Sequence, residues 1–384
     1  MAAPSLSLLR DPTYASFRGS CPQLQVSFGS APVRDWSIYN SHEKSPNQIP
    51  LICIPGVVTT ADSFFYIQSA LSSSGYRVIS INYPPASSCR EWAVNLFECL
   101  QFMEIKKCHL FGCDLGGYLT LWFAKAFPEL VESIILCNSF VSTDWLGAKL
   151  RMQLMLPYFP HFVLKQYALD LFDTAVQDDR IMASLEFVAD NMNSLSRASL
   201  LSRLLFSISP IQLHDLAGVI QSNITVLQTL DDSFTNIEVY RQMQRLLPRA
   251  KFAEMKNGGS FPILSRPEEI ILHLRIHLRR FPNTCIENPI SRHKAHSSSV
   301  VIESTTRREF RRERRHSQPL LFRFDEPRQT QLPLPSAHSA ISENAAECNA
   351  IPLPPAVFVK KPRNPEREER KKKLFELATS RSSG

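Results

Sequence analysis

An aspartate among small residues, Gly112-Cys113-Asp114-Leu115-Gly116-Gly117, is where residue type and spacing in this 384-residue chain point to chemistry. An apolar run precedes it and an amphipathic segment follows, so His109–Phe127 reads as strand, sharp turn and helix. In such a turn the small residues relieve crowding and the central side chain is pushed up from the sheet. Serine there would be an acyl-transfer nucleophile; a carboxylate can instead attack carbon and hold a covalent ester. A working site needs, in chain order, nucleophile, acid and histidine, with backbone N–H donors for an oxyanion. Asp231, with Asp232 beside it, follows a strand-like run and takes the acid position. The loop that should carry histidine reads Lys256-Asn257-Gly258-Gly259-Ser260-Phe261-Pro262, and Ser260 stands where the imidazole belongs.

The missing histidine weighs more than the aspartate does. A carboxylate can open an epoxide or displace a halide unaided, but hydrolysing the resulting ester needs a general base, worth roughly 10²–10⁴-fold. Serine supplies none. His273 and His277 lie four apart among Ile270, Ile271, Leu274 and Leu278, and His109 lies inside the strand before the turn. All three are expected to pack or face solvent rather than react. The N–H groups of Leu115 and of a residue near Val57 would form the oxyanion hole. Asp114 either turns its charge into that hole or caps the helix after it. Asp114, Asp231 and Ser260 are therefore read as a vestigial triad with no catalytic residue among them. Two alternatives stand beside this reading: a hydrolase using Asp114 as nucleophile with a base from elsewhere, and a carrier of a lipid-like ligand in an apolar pocket.

The elements that must position these residues alternate between two periods. Gln23–Gly29 and Asp35–Asn40 read as an opening hairpin, Pro50–Gly56, Tyr76–Pro84 and Val131–Ser139 as buried strands. Asp62–Gly75 and Glu91–Met103 have helical spacing. From Phe140 to Gln221 only helix-like stretches occur. Asn223–Asp232 then restores the sheet, Arg249–Phe261 extends it, and Arg266–Phe281 closes the domain as an amphipathic helix. The pattern predicts an α/β fold with a mostly parallel central sheet flanked by helices and a helical cap, about 140–221, inserted between strands 6 and 7. It is the α/β-hydrolase arrangement, whose sites lie at the carboxyl ends of the strands.

Several longer stretches resemble the maspardin family, a branch of the α/β-hydrolase fold with non-enzymatic roles. They are Phe17–Gly19, Trp36–Asn40, Phe64–Leu71, Gly75–Pro84, His109–Gly117, Ile135–Phe140 and Asn257–Glu269. The resemblance runs from about Phe17 to Leu278. It implies a protein-binding adaptor or regulator of the cytosol and of endosomal and trans-Golgi membranes, one of whose partners is a receptor's cytoplasmic tail. Members of the family carry serine at the elbow and asparagine at the histidine position. This chain departs at both, with Asp114 and Ser260, which moves the expectation further toward pure binding.

Composition bounds the rest. Basic and acidic residues balance as far as Thr284, so the net charge of +7 belongs to the C-terminal hundred residues. Nine cysteines are scattered without a CxxC pair, which gives no metal or redox motif and suits a reducing compartment. No cofactor is implied. No stretch reaches the roughly 18 apolar residues of a membrane span, and the N-terminus lacks a signal-peptide core. The expected organisation is a flexible N-terminus over 1–16, the folded domain over 17–284, and a basic, Pro/Ser/Arg-rich disordered tail over 285–384 with a short helix at Pro365–Ala378. In that tail Arg307–Arg315 mixes six arginines with glutamates, so peripheral membrane contact is open while nucleic acid is not expected as a partner. Arg314-Arg315-His316-Ser317-Gln318-Pro319 has the form of a basophilic phosphosite at Ser317 that a 14-3-3-type adaptor would read.

Overall fold

The structure is a computed structural model; it describes residues 7–28, 34–41, 48–142, 154–172, 178–208, 213, 216, 218–232, 235, 237–285 and 365–379. Eight strands form one sheet: β1 (Gln23–Phe28), β2 (Arg34–Asn40), β3 (Leu51–Ile54), β4 (Val78–Asn82), β5 (Cys108–Cys113), β6 (Val131–Cys137), β7 (Ile224–Thr229) and β8 (Lys251–Met255). They lie in the order β1-β2-β4-β3-β5-β6-β7-β8. β2 runs antiparallel to both neighbours, and every other pairing is parallel. All residues of β3, β5 and β7 are buried, as strands covered on both faces must be.

The covering helices follow from local signals. α2 (Phe65–Ser72) buries Phe65, Ile67, Gln68 and Leu71 on one side. α3 (Cys89–Phe102) starts at Ser88, whose hydroxyl accepts from the Glu91 N–H at 3.1 Å. α4 (Leu115–Ala126) leaves the turn after β5 and is almost wholly buried. Between β6 and β7 stand the cap helices α5 (His161–Leu169), α6 (Asp179–Asn191) and α7 (Arg197–Ile208). Asp178 caps α6 by accepting from the N–H groups of Arg180 and Ile181, and Arg266 pairs with its other oxygen. α8 (Ile237–Leu246), the short α9 (Pro262–Ser265) and α10 (Pro267–Leu278) complete the domain, the last two each with proline in the first turn.

Both ends of the domain differ from the sequence expectation. Residues 1–16 do not serve only as a flexible lead-in: Leu8–Arg10 forms a 3-10 turn with Leu8 buried, and α1 (Pro12–Ser20) follows. The reason is a long-range one. Asp62 accepts from Arg18 Nη1 at 2.9 Å, Tyr39 Oη at 3.0 Å and Tyr14 Oη at 3.2 Å, which ties α1 to the sheet. The tail also returns. α11 (Pro365–Thr379) packs against α6 and α5 with Leu374 buried, so it belongs to the same unit as Met1–Arg292. A second unit, His293–Pro362, lies outside the described residues, and with it the Arg307–Arg315 run and Ser317. Among the described residues no helix is long and apolar enough to cross a membrane. Cys53, Cys113 and Cys137 are buried free thiols, and burial pushes the Cys53 and Cys113 thiols up in pKa.

Candidate functional site

The turn between β5 and α4 has the elbow geometry, and Asp114 sits at its apex with φ 52° and ψ −123°. Positive φ is strained for a non-glycine residue, and asparagine and aspartate bear it best. Its neighbours leave no latitude: a Cβ on Gly116 would lie 2.2 Å from the Ile54 carbonyl oxygen, and one on Gly56 would lie 2.5 Å from Asp114 Oδ2. The backbone is held by the Asp114 N–H donating to Cys137 O at 3.0 Å and Ser139 Oγ donating to Asp114 O at 3.0 Å.

The carboxylate decides what the site can do. Asp114 is 6% exposed, makes no side-chain cap to α4, and accepts from the Val57 N–H at 2.9 Å. It therefore does not serve as a conventional side-chain N-cap of α4. The charge faces the donors after β3 and at the start of α4 that would hold an oxyanion. Burial raises its pKa to about 7; the Val57 and Leu115 N–H groups and the Arg203 charge pull it down, while the charge of Asp232 pushes it up. Its other oxygen, Oδ1, has no hydrogen-bond partner among the described residues.

The two candidate acids divide between two tasks. Asp231 accepts from the Gly258 N–H at 3.0 Å and the Gly259 N–H at 2.9 Å, so it fastens the loop after β8. Asp232 is the one that meets position 260: Ser260 Oγ donates to its Oδ1 at 2.6 Å, and Oδ2 takes the Thr235 N–H at 3.0 Å. The acid–imidazole contact of a triad is thus replaced by an acid–hydroxyl contact at the neighbouring aspartate, and Asp231 is spent on backbone. Sequence order alone does not choose between adjacent carboxylates, because the choice depends on how the loop curls.

No histidine among the described residues bonds to Asp114, Asp232 or Ser260. His109 and His277 lie toward the opposite rim of the sheet, near the starts of β5, β6 and β7. His109 Nδ1 and His277 Nε2 share Ser133 Oγ at 2.6 and 2.8 Å, His277 Nδ1 meets Thr225 Oγ1 at 2.7 Å, and His109 Nε2 meets Thr284 Oγ1 at 3.0 Å. Burial drives both imidazoles down to about 3, so both are neutral at ordinary pH.

Two residues at the site went unread in the sequence. Arg203, from cap helix α7, is 1% exposed and reaches the loop after β3, where Nη1 donates to Thr59 O at 2.6 Å and Gly56 O at 3.1 Å. Its guanidinium lies 4.3 Å from the centre of the Tyr83 ring, and burial lowers its pKa against the pull of Tyr83 and Asp114. An arginine inside the apolar run Leu200–Ile208 was the available signal, since a lone charge on a buried helix face must find a partner. Asn138, at φ 44° beyond β6, donates to Thr229 Oγ1 and Gly259 O at 2.8 and 2.9 Å and accepts from the Thr229 N–H at 2.9 Å. It staples the ends of β6, β7 and the Ser260 loop. No group of three His, Cys, Asp or Glu among the described residues is arranged to hold a metal ion.

Comparison with known proteins places this geometry. The sequence profile of the alpha/beta hydrolase fold matches residues 49–267. Maspardin of Danio rerio is 33% identical over 285 residues, spanning 71% of this chain and 88% of that protein. Maspardin of Homo sapiens is 32% identical over the same spans. Among solved structures, a carboxylesterase of the ammonia-oxidizing thaumarchaeon Nitrososphaera gargenis superposes with a TM-score of 0.54 at 17% identity, covering 67% of this chain and all of that one. At that identity the likeness speaks for the fold alone.

Proposed function

We propose that this chain, which belongs to the maspardin family of the α/β-hydrolase fold, is a binding protein whose ancestral site no longer turns over substrate. The observation that carries this reading is the Val57 N–H, which donates to Asp114 Oδ2 instead of waiting for an oxyanion. A hole already occupied by the Asp114 carboxyl group denies the Val57 donor to the oxyanion that acyl transfer would develop, and repels it as well whenever the carboxyl is ionised. The alternative use of Asp114, as nucleophile, is disfavoured twice. Its raised pKa leaves much of it protonated near neutrality, and Ser260 offers no base to hydrolyse a covalent ester.

What the surface binds is proposed from kinship. An adaptor or regulator in the cytoplasm, peripheral on endosomal or trans-Golgi membranes and reading a receptor's cytoplasmic tail, fits the family. Ser317 is proposed as a phosphorylation-dependent adaptor site on the tail. A lipid-like ligand under the cap is the runner-up. The deciding experiment is turnover: nitrophenyl esters, an epoxide and a haloalkane are offered to the wild-type chain and to Asp114→Ala. No turnover by either is expected. Wild-type turnover that Asp114→Ala abolishes would show that the site is alive and overturn the proposal.

A further inference from the structure

α11 is the one described element beyond Cys285, and it does not float free of the domain. Its sequence places Lys372 and Lys373 before Leu374, Phe375 and Leu377. Leu374 is 1% exposed and Leu377 is half-buried against the core. These two lie three apart, the spacing by which one helix face presents anchors. Lys373 Nζ meets Glu186 of α6 at 2.6 Å. At the other end Asn193 Nδ2 donates to Leu377 O at 2.8 Å, while Asn193 Oδ1 accepts from Lys165 Nζ of α5 at 2.7 Å.

The surface receiving α11 has the make-up of a helix-binding cleft. Glu186 and Asn193 touch α11, and Met182 and Ala189 fall on the same stripe of α6 and the turn after it by helical spacing. The opposite side of α6 is already committed: Phe187 stacks edgewise on Tyr14 at 5.2 Å and packs on Phe65 at 5.6 Å. The inner side of α6 is thus packed without α11, and α11 lies against another stripe of the same helix. Among the described residues the hold includes one buried leucine, its partly buried neighbours, the Asn193 bond to Leu377 O and one exposed ion pair of the kind salt screens readily.

We propose that the cleft formed by α5, α6 and the turn Met192–Ser194 is a receptor for a basic amphipathic helix of a partner protein, with α11 as its resident competitor. Recognition is of the helix-in-groove kind, with leucines at i and i+3 as anchors and Glu186 selecting lysine. The purpose of the cleft rests on the binding-protein reading above, although its geometry does not. Release of α11 opens the cleft, and a tethered competitor sets the concentration a partner must exceed.

The test uses the full-length chain and a fluorescent peptide of Arg363–Gly384, followed by anisotropy at low salt. Lys373→Glu, at an exposed position that the domain does not need for folding, is expected to weaken the internal helix. It should bind the peptide on the order of tenfold tighter than wild type. Glu186→Lys/Lys373→Glu restores the internal pair with its charges exchanged and should lose the peptide. Leu374→Asp is the second release variant and should raise amide exchange across Asp179–Asn191. Equal peptide binding by wild type and both release variants, binding by none of them, or unchanged exchange in α6 with Leu374→Asp would overturn the proposal. Such a failure leaves the binding-protein reading standing, because that reading is decided by the turnover assay.

Discussion

Asparagine at position 114 keeps the side-chain shape and an acceptor for the Val57 N–H while removing the charge. Burial raises the Asp114 carboxyl from 3.8 to about 7 in the folded chain. Because the folded value is the higher one, the folded state holds a proton that the unfolded state has shed anywhere between the two values. The stabilisation this gives is complete below pH 3.8 and is lost as pH rises through about 7. At ~1.4 kcal/mol for each unit between the two values, raising the pH from 5 to 8 takes about 3 kcal/mol from the wild type and nothing from Asp114→Asn. In a domain of this size that is roughly 6–12 °C in Tm. Urea unfolding of both proteins at pH 5, 6, 7 and 8 isolates the effect, because titrating groups not coupled to Asp114 cancel in the difference. Asp114→Asn should gain on the wild type between pH 5 and 7 and level off towards pH 8. Parallel stability curves would mean that burial does not hold the carboxyl above its ordinary value, and the protonation argument against Asp114 as a nucleophile would fall with it.

Other substitutions probe the neighbouring contacts. Asp114→Ser alone should hydrolyse nitrophenyl acetate only at a low background rate, whereas Asp114→Ser/Ser260→His puts an imidazole against Asp232 and should raise the initial rate roughly 10²-fold over the single variant. Arg203→Met removes the ties from α7 to Gly56 and Thr59; it should cost about 2 kcal/mol in urea unfolding and speed amide exchange in the loop after β3 while leaving β1 and β2 unchanged. A phosphopeptide spanning Arg314–Pro319 should bind a 14-3-3 protein and its unphosphorylated form should not, by calorimetry.

The strands and the elbow were legible because their signals are local. Buried runs such as Val131–Cys137 have few alternatives to a covered strand, and the glycines around Asp114 mark a turn that admits no side chain at those points. What escaped depended on partners far along the chain. Asp11 followed by Pro12 is a helix start written in the sequence, since Asp11 accepts from the Thr13 N–H at 2.7 Å and proline opens the first turn. That α1 also packs required Asp62 and Tyr39, which no local window contains. The direction of the Asp114 carboxylate was equally hidden, because Val57 lies on another strand's loop. Arg203 was visible as an oddity but not as a tie, and the division of labour between Asp231 and Asp232 emerges only once the loop after β8 curls back.

The polar chain at the far rim of the sheet has a sense as well as a membership. Thr284 Oγ1 has one proton, and both the Phe281 carbonyl at 3.1 Å and His109 Nε2 at 3.0 Å can take it. Given to the carbonyl, it leaves His109 protonated on Nε2 and accepting on Nδ1 from Ser133, which accepts from Nε2 of His277, which accepts on Nδ1 from Thr225. Given to His109, it reverses every one of these bonds. In either sense all the hydrogens point one way along the row between β7 and the last turn of the domain. The two neutral imidazoles therefore share a single tautomeric choice, and turning either ring means turning the whole row.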